Sequence, residues 1–393
     1  MHHDGLGYYM YLPNVFIYHN FEARNDEDQN GFVPQPGTNL IMDKYTYGTA
    51  VMMLPFFLAA HSIAYISGAP QDGFGKIYDM GIMIAACFYL VIGMFFLIRS
   101  LSNYFTPITI IISLFAIFAG TNLYYYTIHE PAYSHVYSFF LFSVFIFLTP
   151  RYISNPNWKN TILISLIFGW IFLIRPTNGV VGLYLLLHNI HSWKDLSERW
   201  NWIKQHFLKL CLFPVASIIL FIPQLIYWHA VLGKWQFDAY RNEKFIYWAQ
   251  PKVFHVLFSV QNGMLIYAPV ILFAIIGLGM AIYRKKLSGI AILIILGIST
   301  YVFASWWCWW YGGAYGHRGY IEYFAFLAIP MAYTVSLILK MKPVLKYGLL
   351  VLFLLCIVYS LQMNYAYSWP WEGPTWTWQT YGHVVGKAFG VLR

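Results

Sequence analysis

The chain of 393 residues is strongly apolar, since 59% of its residues are hydrophobic, 21% are aromatic and only 10% are charged. Soluble globular domains carry about a quarter charged residues, so this composition, with a mean hydropathy of +0.55, excludes a soluble fold and predicts an integral membrane protein. The net charge of +9 does not indicate nucleic acid, because the cations stand beside apolar runs and form no basic stripe with interleaved aromatic residues.

The first 46 residues precede the first long apolar run and contain two candidate functional groups. Asp4 comes just before an aromatic-rich amphipathic stretch, where a carboxylate can act as a base at the membrane surface. A lone Asp at such a place more often caps the following helix, and the spacing alone favours the cap. Lys44 follows Asp43 at the mouth of an apolar helix and can hold a lipid phosphate. A lysine that snorkels to the interface is an equal alternative.

Long apolar runs recur from Ile77 onward, and many are near the length that crosses a bilayer. A spanning α-helix satisfies its own backbone polar groups, and the alternating pattern of a barrel is absent. We therefore expect an all-α, polytopic transmembrane helical bundle of about ten spans. The predicted spans are 77–99, 106–128, 132–149, 160–174, 176–191, 206–230, 262–283, 286–306, 318–340 and 343–362.

The distribution of charge predicts the orientation of the bundle. The positive-inside rule assigns to the cytoplasm the turns that hold most of the cations. Of the 15 acidic residues, only Asp195 and Glu198 fall in those turns, and the other thirteen lie on or near the outer side. We therefore expect the chemistry outside the cytoplasm. The cation-rich turns are 151–159, 194–209, 284–286 and 340–346.

The apolar segment from Tyr47 to Ser67 does not fit this alternation. It is long enough to span, but counting it as a span would invert every later loop. We therefore expect a re-entrant or interfacial helix, which Pro55 would bend. The predicted parts are an extracytoplasmic first loop of amphipathic helices at 1–46, a transmembrane helical domain at 47–363 and an extracytoplasmic aromatic tail at 364–393. The same parity places residue 1 outside, so we expect a first signal-anchor helix to be missing from this chain.

The turn between the second and third spans carries Glu130, His129 and His135 at the outer boundary. A carboxylate at that depth is costly unless it is hydrated, paired or used. Helix capping before Pro131 is the alternative for Glu130, and function is favoured over it. The two histidines lack a third metal ligand, so no metal site is predicted.

Two arginines follow at breaks in the apolar pattern. Arg175 precedes Pro176 and would lie at the outer tip of a helical hairpin, where a guanidinium suits bidentate contact with phosphate. An arginine that satisfies helix-end carbonyls is the competing interpretation. Arg318 ends a turn rich in tryptophan and glycine at 306–318, which suits a sugar phosphate, although such rings also form ordinary interfacial belts. Arg318 and Glu322 are four residues apart and can pair on one helical face.

Taken in order, these motifs resemble the GT-C superfamily of membrane glycosyltransferases, in particular the branch of lipid A aminoarabinose transferase and the protein mannosyltransferases. Asp4 before Gly-Tyr-Tyr is similar to the family's first-loop catalytic aspartate. Asp43-Lys44 is similar to its acidic-Lys pair, and Glu130-Pro131 to a second outer carboxylate. Arg175 to Thr177 resembles its basic hairpin turn, and Asn262 to Pro269 the start of a later span.

The resemblance implies transfer of a sugar from a polyprenyl-phosphate donor to an acceptor hydroxyl of a glycan, lipid or protein, with inversion and an aspartate base, at the outer face of a bacterial inner membrane. No cofactor is required, and a divalent cation is compatible. A polysaccharide polymerase or ligase, and a transporter or flippase of lipid-linked or anionic substrates, stay open as alternatives. The implied roles are catalysis by Asp4 and Glu130, phosphate binding by Lys44, Arg175 and Arg318, and support from Asp43, His129, His135 and Glu322.

Overall fold

The computed structural model describes residues 3–22, 32–35, 37–235, 240, 243–367 and 376–391. The protein is 72% helical with almost no strand, which confirms the predicted all-α class. Within the described residues two short antiparallel strands, β1 (Phe32–Pro34) and β2 (Ile41–Asp43), pair in the first loop, with Phe32 opposite Asp43. Only amphipathic helices were predicted in this loop, so the two strands are a difference from that prediction.

The described residues form eighteen α-helices, with short 3-10 helices at Pro176–Val181 and Arg318–Tyr320 and a π-helix at Asn14–Tyr18. In chain order the α-helices are α1 (His3–Pro13), α2 (Gly48–Ser67), α3 (Lys76–Leu101), α4 (Pro107–Ala119), α5 (Leu123–Ile128), α6 (Ser134–Ser154), α7 (Trp158–Ile174), α8 (Gly182–Leu187), α9 (Trp193–Gln205), α10 (Phe207–Leu210), α11 (Leu212–Leu232), α12 (Val253–Phe258), α13 (Met264–Tyr267), α14 (Ile271–Tyr283), α15 (Gly289–Ser305), α16 (Phe324–Ile338), α17 (Pro343–Ala366) and α18 (Trp378–Ala388).

Several of these helices are long and apolar enough to cross a membrane, as in an integral membrane protein. By length and composition these are Gly48–Ser67, Lys76–Leu101, Ser134–Ser154, Phe207–Leu232 and Pro343–Ala366, and six shorter apolar helices accompany them. Three predicted spans, 106–128, 262–283 and 318–340, are interrupted where continuous helices were expected. The breaks fall at Gly120 to Asn122, at Pro269 and in the turn before Phe324. The predicted break at Arg175 and Pro176 is present, between α7 and a 3-10 helix.

The centre of the bundle is formed by α6 and α16, whose residues are buried on most sides. Around them α3 packs beside α6, α14 beside α16, and α7 beside α11. The approach of α14 to α16 depends on Gly277, because a Cβ there would overlap the Pro330 carbonyl oxygen and the Thr334 hydroxyl. That hydroxyl donates to the Phe273 carbonyl at 2.7 Å, which ties the two helices together at the same level.

The helix α2 runs unbroken through Pro55. Its first residue, Gly48, lies against Ile174 at the end of α7. Further along, His61 bonds to the hydroxyl of Tyr78 near the start of α3 at 2.7 Å. The helix α3 packs beside α6 in the same direction. Because Tyr89 of α3 bonds to the Met52 carbonyl and Tyr78 bonds to His61, α2 runs antiparallel to α3. Its re-entrant or interfacial placement stays a prediction.

Two ends of the bundle differ in chemistry, and α6 connects them. His135 lies in its first turn and Arg151 in its last, which at 1.5 Å per residue are about 24 Å apart. The end where α6 begins carries the first loop and the aromatic turn at 306–318. The end where it finishes carries the cation-rich turns.

We predict that Gly277→Ala destabilises the bundle, because the added methyl group pushes α14 away from α16, and overpacking of this kind costs about 1–3 kcal/mol. The measurement is the melting temperature of the purified protein in detergent. Gly279→Ala is the matched control, since nothing lies within 4 Å of a Cβ at that position on the same helix. Equal melting temperatures for the two variants would contradict the close packing of α14 on α16.

Candidate functional site

An ion pair joins the first helix to the aromatic turn. The Oδ2 atom of Asp4 lies 2.8 Å from Nη1 of Arg318, and the two side chains are only 20% and 14% exposed. Asp4 is the second residue of α1, so it lies inside the helix. The N-cap position that the spacing favoured is therefore not the one it occupies. The Arg318 guanidinium also lies 5.4 Å from the centre of the Tyr133 ring.

Small residues in α1 allow the site to form. A Cβ at Gly7 would overlap the ring of Tyr45, and one at Gly5 would lie 3.1 Å from Cβ of Ala132. Because both positions are glycine, α1 packs closely on the chain before α2 and on the turn after α5. The Tyr45 side chain then lowers the pKa of the Asp4 carboxyl. The glycines that flank Leu6 are therefore part of the construction of the site.

Lys44 reaches the same place from the chain before α2. Its Nζ atom is 2.7 Å from Oε1 of Glu243 and lies 5.4 Å and 5.3 Å from the ring centres of Tyr45 and Tyr240. Asp43 has a different task, because it is buried and its Oδ1 accepts the backbone N–H of Tyr45 at 2.9 Å. Asp43 thus shapes the turn that presents Lys44.

These groups surround one open cavity of about 250 Å³. Its walls combine two acids, two bases and a large aromatic and glycine surface, which come from elements far apart in the sequence. The lining residues are Asp4, Lys44, Tyr45, Tyr133, Glu243, Trp306, Trp307, Cys308, Tyr311, Gly312, Gly313 and Arg318.

Three buried donors hold the aromatic turn in place. Asn122 donates to the Tyr315 carbonyl at 3.0 Å, and His317 bonds through Nε2 to the Trp309 carbonyl at 3.0 Å. Asn262 donates to the carbonyls of Trp310 and Gly312 at 2.9 and 3.2 Å. The turn is therefore fixed by two separate segments, at Asn122 and Asn262, and by one bond within itself before Arg318 enters the cavity.

A second polar cluster lies buried beside this cavity and is centred on Glu322. Its carboxylate bonds to Nδ1 of His135 at 3.0 Å, accepts from Asn178 at 3.1 Å and lies 3.7 Å from Arg175. The alternative pairing of Arg318 with Glu322 does not form, because Arg318 pairs with Asp4 and Glu322 pairs with Arg175. Arg175 does not line the cavity, although its charge acts on the Asp4 carboxyl.

Glu130 and His129 lie in the turn between α5 and α6. Glu130 is half-buried. Burial raises the pKa of its carboxyl to about 7, although the positive charge of Arg318 lowers this pKa in part. His129 is exposed and stacks on Tyr125, with ring centres 5.2 Å apart. Neither residue lines the cavity. Of this turn, Tyr133 lines the cavity, whereas Glu130 and His129 lie beside it.

The charge state of Asp4 follows from opposing effects. Burial raises the pKa of this carboxyl, but the Arg318 guanidinium, the Tyr45 hydroxyl and Lys44 together lower it below its usual value of 3.8. Asp4 is therefore ionised at neutral pH.

Among the described residues no group of three or more His, Cys, Asp and Glu side chains can hold a metal ion, and the absence of a metal requirement stays a prediction.

Sequence reasoning left several contributing residues without a role. Glu243 lies in a charged loop at 234–252, and the sequence assigns no roles to the residues of this loop. Asp238, Arg241 and Asn242 of the same loop lie outside the described residues. Tyr45 and Asn178 gave no signal of their own. Asn262 was noticed only as the beginning of a span.

Comparisons with known proteins add no assignment. No protein-family model matches the chain, and no curated protein matches it significantly. The resemblance to the GT-C superfamily therefore rests on the order of its motifs.

We predict that the pKa of Glu130 makes stability depend on pH. Between about 4.5, the usual value of a glutamate, and about 7 the native state keeps a proton that the unfolded chain has released. The free energy of unfolding therefore falls as pH rises across this window. Glu130→Gln should flatten this part of the profile of melting temperature against pH. Glu198→Gln, at a side chain that is 67% exposed, is the control. An unchanged slope in Glu130→Gln would contradict the prediction.

Proposed function

We propose that this chain is an integral membrane glycosyltransferase of the GT-C type, which transfers a sugar from a polyprenyl-phosphate donor to an acceptor hydroxyl. The observation that carries the proposal is a pair of ion pairs in the cavity. The cationic side chains of Lys44 and Arg318 are each held by a carboxylate among aromatic rings. A cavity of a few hundred Å³ with a few convergent polar groups is the usual form of a small-ligand site.

Exchange of charge partners would couple binding to catalysis. A donor phosphate competes with Asp4 for Arg318 and with Glu243 for Lys44. Guanidinium favours bidentate contact with phosphate oxygens, and lysine acts as a point charge. The incoming anion would therefore release Asp4 from its ion pair, so that the carboxylate becomes a stronger base when the donor is in place.

In the proposed reaction Asp4 accepts the proton of the acceptor hydroxyl while that oxygen attacks the anomeric carbon. The bond between the anomeric carbon and the phosphate oxygen breaks, and polyprenyl phosphate leaves with the electron pair. Lys44 and Arg318 stabilise the negative charge that develops on this group, which is a preorganised electrostatic role. Attack opposite to the leaving group inverts the anomeric configuration.

The aromatic turn and the cluster around Glu322 would support this chemistry indirectly. The rings of Trp306, Trp307 and Tyr311 give the sugar apolar surfaces beside the two bases. Glu322 fixes Arg175 outside the cavity, so that its positive charge acts on the site without a direct contact. Glu130, half-buried at the edge, would orient the acceptor.

The side of the membrane follows from the distribution of cations. The cavity lies at the end of the bundle where α6 begins, opposite the cation-rich turns. By the positive-inside rule those turns face the cytoplasm, so the proposed site is extracytoplasmic. A bacterial inner membrane is the proposed location, with the lipid-linked donor entering from the bilayer.

We predict that Asp4→Asn lowers kcat by about 10² to 10⁴ fold, the usual contribution of a general base, without raising KM for the donor. We expect no rise in KM, because the substitution weakens the contact between residue 4 and Arg318 that competes with the donor phosphate. The assay is release of labelled sugar from polyprenyl-phosphate-sugar in detergent, with and without candidate acceptors.

Asp72→Asn is the matched control for this experiment. It makes the same charge change in an exposed loop before α3, and its side chain keeps the oxygen that accepts the Phe74 N–H at 2.9 Å. Wild-type turnover in Asp4→Asn would refute the assignment of the base. Absence of sugar release from the wild-type protein with every acceptor tested would refute the proposed function.

A further inference from the structure

A second cavity lies at the opposite end of the bundle from the candidate site. It measures about 80 Å³ and is bounded by the end of α6, the turn between α3 and α4, the end of α8 and the turn before α15. None of the groups in the proposed reaction lines it. Its position at the cation-rich end places it at the level where a bilayer changes from acyl chains to headgroups.

The charged group of this cavity is Arg151, in the last turn of α6. Its guanidinium lies 3.5 Å from the centre of the Phe147 ring, and Nη1 donates to the Phe147 carbonyl at 2.7 Å. Among the described residues no carboxylate forms an ion pair with Arg151, so its positive charge is not neutralised within that part of the chain.

The facing wall of the cavity is polar and fixed. The Ser288 hydroxyl lies 3.0 Å from Nδ1 of His188 and donates to Oδ1 of Asn189 at 2.9 Å. It also accepts the backbone N–H of Asn189 at 3.0 Å. These contacts join the end of α8 to the turn before α15, and Arg199 bonds to the His188 carbonyl at 3.1 Å.

The remaining wall is apolar. Ile146 and Phe147 of α6 and Ile329 of α16 lie beneath the polar rim. A cavity with one unneutralised guanidinium, a hydroxyl and imidazole wall and an apolar floor complements an anion that is attached to hydrocarbon.

We propose that this cavity binds the phosphate of an anionic glycerophospholipid from the adjacent leaflet, with Arg151 as the charged contact. The cations of the neighbouring turns favour anionic over zwitterionic lipids, because basic pockets between membrane helices at this level attract anionic headgroups. The apolar floor favours a lipid over a free phosphate ester, since only the lipid brings acyl chains to it. The site is independent of the proposed sugar transfer.

The test measures lipid binding to the purified full-length chain in detergent, by native mass spectrometry and by the shift in melting temperature. Phosphatidylglycerol and phosphatidylcholine with the same acyl chains are compared, and glycerol phosphate tests the free anion. We expect phosphatidylglycerol to bind and stabilise the wild-type protein more than the other two. A basic residue near an anionic lipid contributes about 1 kcal/mol, so Arg151→Gln should weaken this binding about fivefold.

Arg284→Gln is the matched control, because it removes the same charge from an exposed position after α14, outside the cavity. Arg151→Lys is the second variant and should keep the preference for the anionic lipid with an intermediate affinity. Equal binding of the two lipids, or equal losses in Arg151→Gln and Arg284→Gln, would overturn the proposal. Binding of glycerol phosphate as tightly as the lipid would overturn the assignment to a lipid.

Discussion

The ion pair between Asp4 and Arg318 is the contact on which the candidate site depends. It joins the first described helix to a turn more than three hundred residues later, and both side chains are largely removed from water. A broken pair would leave a poorly solvated charge on each side, which is more costly than the net value of the pair itself. The contact forms only because Gly5 and Gly7 let α1 approach Ala132 and Tyr45. Packing of small residues thus precedes the electrostatics.

The same constraint explains how much of the protein was predictable from its sequence. The apolar runs predicted most of the helices and the all-α class of the fold, because burial in lipid depends on the local composition of the chain. The breaks at Gly120 and Pro269 were missed as interruptions, although each carries a local signal. Pairings across long separations could not be predicted, since Lys44 meets Glu243 only after folding. Helical spacing describes only local neighbours. It therefore suggested Glu322 as a partner of Arg318 and could not indicate Asp4, the partner that Arg318 has after folding.

The two ends of the bundle divide its charges between different tasks. At one end the cations of Lys44 and Arg318 are held by carboxylates in an aromatic cavity, and the proposed anionic donor would replace these carboxylates. At the other end the Arg151 guanidinium contacts the ring and the carbonyl of Phe147, which suits the proposed lipid neighbour. The helix α6 links the two, since it carries His135 in its first turn and Arg151 in its last. The asymmetry fits a protein that works at one membrane face and is held at the other.

The most direct measurement is a double-mutant cycle on Asp4 and Arg318, with unfolding followed in detergent for Asp4→Asn, Arg318→Gln and the double variant. The two groups touch, and residues in contact show coupling of about 0.5–3 kcal/mol. We therefore expect the double variant to be less destabilised than the sum of the single variants, and the excess to shrink at high salt. If the destabilisations of the two single variants simply added up in the double variant, Asp4 and Arg318 would not interact. The first helix would then not be joined to the aromatic turn by this pair, which would contradict the central claim.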